Sequence, residues 1–156
     1  MTAFITLQGA EATPEAAAAV AQRLTGPCVV LPFDALRRDW IAKPGADDAT
    51  VAAQQLKLLG AGYVKAGYHV VVHGEALAEG QAGNDVLRLM RMVPGVYALS
   101  VAVGLGTDGL GADGLEAGRE VDLRLPAGQS LSEIAQAVWE ALPVDAVGPD
   151  RRVSDA

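Results

Sequence analysis

Residues 9 to 16 read Gly-Ala-Glu-Ala-Thr-Pro-Glu-Ala, between an apolar run (Phe4-Ile5-Thr6-Leu7) and an alanine-rich stretch of helical character. Many α/β proteins carry a phosphate-gripping loop at such a place. In a G-x-x-x-x-G-K-[ST] loop, successive backbone N–H groups surround the phosphates, the lysine meets the outer ones and the hydroxyl holds Mg²⁺. Here Gly9 keeps the first position, but the last three are Pro14, Glu15 and Ala16. Proline removes a donor, glutamate replaces a cation by an anion, and alanine removes an oxygen ligand of the metal. Two unit charges about 4 Å apart are worth about 4 kcal/mol at an effective dielectric near 20, so exchanging attraction for repulsion is not a small change. The expectation is a remnant of a nucleotide loop (Gly9, Thr13, Pro14, Glu15, Ala16) that does not clamp ATP and needs no cofactor. ATP with Mg is the alternative.

Other polar residues stand where strands end. Asp34 and Arg37 follow the apolar run Cys28 to Leu31, and His73 and Glu75 close the run that begins at Tyr68. Open α/β sheets bind ligands outside the carboxyl ends of their strands, so Asp34, Arg37, His73 and Glu75 form a candidate ligand pocket. A plainer reading stands beside it: Asp34 caps a short helix reaching Trp40, Arg37 belongs to a surface pair, and His73 is a structural histidine. Glu15 likewise is either a block on nucleotide or a favourable residue at a helix start. His69 and His73 share one face of a strand but lie about 13 Å apart at about 3.3 Å per residue, too far to share a metal. No metal site is expected.

The elements that must position these groups can be read from periodicity. Short β-rich runs near 3–8, 28–32, 68–73, 96–103 and 119–125 alternate with helical patterns. Their low polarity suits strands covered on both faces, which points to an α/β three-layer sandwich with a central, mainly parallel five-stranded sheet. Thr13-Pro14-Glu15 is a helix start: a capping hydroxyl, a pre-organised proline and an acid at the positive end. A second helix is expected from about Asp47 to Lys65 with Val51, Leu56, Leu59 and Tyr63 inward, weakened at Gly60 and Gly62. A third is capped by Asn84 or Asp85, with Val86, Leu89, Met90 and Val93 inward. Ser130-Leu-Ser-Glu133 fits a capping box opening the last helix.

Residues 104–118 hold six glycines and two successive Asp-Gly pentapeptides, Gly106 to Leu110 and Gly111 to Leu115, a connector or lid. Residues 143–156 are expected to be a flexible tail, leaving 1–142 as a single domain.

Composition narrows the partners. The 156 residues carry a formal net charge of -7 and only 4% aromatics, which argues against nucleic acid. No apolar stretch approaches the roughly 20 residues of a membrane helix. The single cysteine, Cys28, cannot form an internal disulfide and is expected to be a buried, inert thiol, which fits a cytoplasmic protein. Trp40 and Trp139 are read as packing residues, an exposed Trp40 being the mark of an interface.

Phe4-Ile-Thr-Leu-Gln-Gly9, Val29-Val-Leu-Pro-Phe-Asp34-Ala-Leu-Arg37 and Ala66-Gly-Tyr-His-Val-Val-Val-His73 together resemble the P-loop small-molecule kinases, the chloramphenicol phosphotransferase, gluconate kinase and adenylylsulfate kinase group. The resemblance implies a P-loop NTPase-like fold over residues 1–142. It also implies that Asp34 and Arg37 match a family Asp-x-x-Arg that orients substrate and whose aspartate takes a proton from the accepting hydroxyl. The family's lid supplies arginines to the transferring phosphoryl group. Residues 104–118 hold no Arg or Lys, and Asp108, Asp113 and Glu116 have the opposite sign, so Arg119 is the one substitute there.

The expected function is therefore a catalytically inactive, kinase-like domain that works through protein assembly, including self-association, or through residual binding of a small molecule. An active phosphotransferase with an atypical loop, using Asp34, Arg37 and Arg119 or Arg124, and a small-molecule sensor are the alternatives.

Overall fold

The computed structural model describes residues 1–78, 81–105 and 121–143. Five strands, β1 (Thr2–Gln8), β2 (Cys28–Pro32), β3 (His69–His73), β4 (Val96–Leu105) and β5 (Leu123–Pro126), form one sheet in the order β2-β3-β1-β4-β5. All four pairings are parallel, with Phe4 opposite Val70 on one side of β1 and opposite Ala98 on the other. The expected α/β three-layer sandwich with a central five-stranded sheet is what the chain builds. Parallel strands need crossovers: α1 (Pro14–Arg23), α2 (Asp48–Lys65) and α3 (Ala82–Arg91) lie in the first three, and α4 (Leu131–Ala141) follows β5.

Strand alternation divides the core in two. Ala3, Ile5 and Leu7 of β1 point with Val71, Leu99 and Val101 toward α1 and α4. Phe4 points the other way with Val70, Val72 and Ala98, toward α2 and α3. Each face is closed by alanine, valine and leucine, whose small volumes let helices sit close to the sheet. No helix among the described residues is long and apolar enough to cross a membrane.

Local capping chemistry acts as expected at two helices. Thr13 Oγ1 accepts from the Ala16 N–H at 3.1 Å, and Pro14 opens α1. Ser130 and Glu133 form a reciprocal capping box on α4, and those hydrogen bonds hold the Glu133 carboxyl below its ordinary range.

Two helices correct the sequence reading. In α2 the buried residues are Ala52, Ala53, Leu56, Gly60 and Val64, while Val51 is 52% exposed and Leu59 and Tyr63 are only partly covered. The cause is a close approach: a Cβ on Gly60 would lie 2.7 Å from Phe4 Cε2 and 3.1 Å from Met90 Cε. Gly60 is thus a packing surface for the Phe4 ring, not a weak point. In α3, Gln81 precedes the helix and neither Asn84 nor Asp85 caps it. Asn84 is instead buried inside the first turn, donating to Gln81 Oε1 at 3.2 Å, and Leu87 joins Val86 and Met90 inward. Trp40 is a further correction, 69% exposed rather than packed, whereas Trp139 lies in the core.

Of the glycine-rich segment 104–118 and the tail 143–156, residues 106–118 and 144–156 lie outside the described residues, and so do Asp108, Asp113, Glu116 and Arg119.

Candidate functional site at the carboxyl ends of the strands

The first turn after β1 begins at Gly9, whose φ of +116° suits a residue without a Cβ; a side chain there would overlap the Val103 carbonyl of β4. From that point the loop bonds inward. The Glu11 N–H donates to the Val103 carbonyl at 3.5 Å, the Ala12 N–H to the Gly9 carbonyl at 3.2 Å, and the Ala16 N–H to Thr13 Oγ1. Pro14 has no N–H to offer. The Glu11 carboxylate reaches across to the turn before α4, accepting from the Gly128 N–H at 3.1 and 3.2 Å. That bond ties the first loop to a residue 117 positions away. The Ala16 methyl is fully buried in the core on the α1 side of the sheet.

The second turn is organised by Asp34. The sequence assigns it to the helix that follows β2, yet it makes no side-chain cap there; residues Ala35–Asp39 form a wide π-type turn closed by the Trp40 N–H on the Ala35 carbonyl at 2.9 Å. Its carboxylate crosses to the short 3₁₀ turn Glu75–Ala78 instead, accepting from the Ala76 N–H at 2.7 Å and the Glu75 N–H at 3.2 Å. Gly74, at φ +147°, makes the approach possible, since a Cβ there would lie 2.7 Å from Asp34 Oδ1. Both carboxylate oxygens of Asp34 are thereby engaged with backbone donors.

Between these turns lies a cavity of about 310 Å³. Gly9, Thr13, Pro14, Asp34, His73 and Glu75 line it, so the structure brings together most of the residues singled out in the sequence. Arg37 does not line it; it sits half-buried on the π-type turn, and Asp39 from the same turn faces the cavity in its place. Glu15 is exposed at the start of α1, outside the lining but near enough for its charge to act on His73.

His73 is buried, and burial lowers its pKa below the ordinary 6.5. A hydrogen bond to the Ala12 carbonyl and the charges of Asp34 and Glu15 pull the other way without prevailing. Among the described residues the cavity wall therefore carries three carboxylates, a histidine biased toward neutrality and no Lys or Arg. His69 has a different task. It accepts from the Ala3 N–H on Nδ1 at 3.0 Å and contacts the Thr25 carbonyl through Nε2 at 2.8 Å, which assigns the proton to Nε2 and leaves no lone pair for a metal. Among the described residues no group of three or more His, Cys, Asp and Glu could hold a metal ion. Cys28 is half-buried, and desolvation pushes its thiol up to about 11, which makes it a poor nucleophile.

Sequence reasoning missed Glu11 and Asp39. An acid inside a loop motif reads as filler, and only its distance to Gly128 in the fold gives Glu11 a role. A larger concavity, about 730 Å³, lies at the amino end of β4, lined by Arg91, Tyr97 and Asp122. Its charged pair is joined at 3.1 Å, and Asp122 also accepts from the Ser100 N–H at 2.9 Å, so these groups serve the sheet margin.

No family model matches the chain, and no curated protein matches it by sequence. Solved structures do share its fold. The APS kinase CysC of Mycobacterium tuberculosis, in complex with AMPPNP and APS, superposes with a TM-score of 0.64 at 20% identity, over 89% of this chain and 96% of that one. An unliganded sugar kinase from Janibacter sp. HTCC2649 gives 0.64 at 15% identity, over 97% and 98% of the two chains. A hexameric APS kinase from Thiobacillus denitrificans gives 0.59 at 16% identity, this chain spanning 28% of its length. The architecture is that of the P-loop small-molecule kinases, as the resemblance implies.

Proposed function

We propose that this chain is a kinase-fold protein that does not transfer phosphate from ATP and acts by association with protein, its own copies included. The observation that carries the reading is the bonding of the first loop. Three of its amides are used internally, a fourth position has no N–H, and the residue in the lysine place is Glu15. Phosphate binding at a helix start depends on free N–H groups and positive potential, and both are depleted here.

The residues present do not fit ATP with Mg. Ala16 offers carbon where the metal needs oxygen, its methyl is committed to the core, and the cavity wall presents Asp34, Asp39 and Glu75 to any phosphate that enters. A neutral polyol or an organic amine suits such a wall better than a phosphate ester. Asp34, placed by the family resemblance as a proton acceptor, has its two oxygens bound to the Glu75 and Ala76 amides, which favours a positioning role over a catalytic one.

Thermal unfolding with and without Mg-ATP tests the reading. Saturation at a hundred times Kd stabilises a fold by about 2.7 kcal/mol, a shift of several degrees in a domain of this size. No shift at millimolar nucleotide is expected; a saturable upshift overturns the proposal.

A further inference from the structure

Helix α2 carries an apolar stripe on the face turned away from the core. Val51 is 52% exposed and Leu58 67% exposed, on one side of an 18-residue helix, with Gly62 between them and the helix end. Beside Leu58 lies a shallow hollow of about 390 Å³ floored by Leu59, Gly62, Tyr63 and Tyr68. The two tyrosine rings meet edge to face, with centroids 5.9 Å apart, and Tyr68 is 37% exposed. A Cβ on Gly62 would meet nothing within 4 Å, so a second helix could come close at that point.

We infer that this face joins two copies of the chain about a twofold axis near Leu58, with the two α2 helices antiparallel and each Leu58 seated against the other's hollow. Charge selects the second copy as the occupant. Asp47 and Asp48 stand at the amino end of α2 and Lys65 at the carboxyl end, while Val51, Gln54, Gln55, Leu58 and Gly62 between them carry no charge. Antiparallel pairing sets Lys65 of each copy toward the acidic end of the other, opposes the two helix dipoles and buries no charge in the middle. A parallel arrangement would set like charges together. The helix offers a footprint of about 27 by 10 Å on each copy, roughly 540 Å² for the pair before Tyr68 is added, which is the size of a weak, concentration-dependent contact. The inference rests on the reading that the chain works by association, not on the loss of nucleotide binding.

Sedimentation velocity on the full chain from about 1 to 200 µM tests it. The chain is expected to shift from monomer to dimer over that range, and Leu58→Glu to raise the dimer dissociation constant at least a hundredfold while leaving the circular dichroism spectrum unchanged. Lys65→Glu alone is expected to weaken the dimer about tenfold, and Lys65→Glu with Asp47→Lys to restore it. On a Cys28→Ser background, Leu58→Cys should cross-link to itself under mild oxidation and Arg88→Cys on α3 should not. A chain that stays monomeric throughout, or a dimer that Leu58→Glu leaves intact, overturns the inference. Because none of these measurements involves nucleotide, their failure and a failure of the ATP reading remain distinct.

Discussion

The carboxyl ends of the strands and the outer face of α2 are finished in opposite ways. At the strand ends, polar groups that could receive a ligand are bonded to the protein itself: Asp34 to Glu75 and Ala76, Glu11 to Gly128, and the Ala12 amide to Gly9. On α2, apolar side chains that could pack inside are left in water, because Gly60 brings the inner face of the helix so close to Phe4 that Val51 and Leu58 fall outside. Open α/β sheets hold ligands outside such strand ends, yet here the exposed apolar surface lies on α2. A chain that needed its strand ends for phosphate would keep those amides free.

Mutations that separate the two regions sharpen the contrast. The largest effect belongs beneath α2: Phe4→Ala empties a fully buried ring site and is expected to cost about 3–5 kcal/mol in urea unfolding. Gly60→Val, which drives a side chain into Phe4 and Met90, is expected to cost about 2–3 kcal/mol by the same measurement. Asp34→Ala orphans two backbone donors and is expected to cost about 1–3 kcal/mol, with Asp34→Asn recovering part of the loss through its remaining carbonyl oxygen. If Asp34→Ala proves neutral, the carboxylate is not fastening the second turn and its role as a ligand group returns.

A pH series bears on the same cavity. Folded His73 holds a proton less tightly than the unfolded residue, whose pKa is 6.5. Its contribution to stability is therefore complete above that value and is lost as pH falls through the lower folded pKa. Stability is expected to decline on acidification from just below 6.5, and His73→Asn to flatten that first part of the slope. An NMR titration placing His73 above 6.5 would show that Asp34 and Glu15 outweigh burial. The smallest effect is expected on the outer face, where Leu58→Ser changes the stability of the monomer by no more than about 0.5 kcal/mol.

The fold was legible because parallel strands covered on both faces read as unbroken apolar runs; His69–His73 and Val96–Val103 need no partner to be recognised. Thr13 and Ser130 were legible for a related reason, since each caps an amide three residues away. Longer reach was hidden. Asp34 looks like the cap of its own helix until the fold carries residues 75 and 76 to it, and Glu11 has no visible task until Gly128 arrives from the far end of the chain. The inward side of α2 was misread because its pattern is set by a glycine: hydrophobic periodicity counts side chains, and Gly60 packs by having none. Arg37 is expected in the cavity because it follows the end of β2 and matches the Asp-x-x-Arg of the resemblance, whereas the π-type turn leaves it off the wall and brings Asp39 there.

The central claim is that the first loop no longer receives a nucleotide, and calorimetric titration of the chain with Mg-ATP addresses it most directly. No saturable heat is expected up to millimolar ATP; a one-to-one isotherm, abolished by Gly9→Val, would contradict the account.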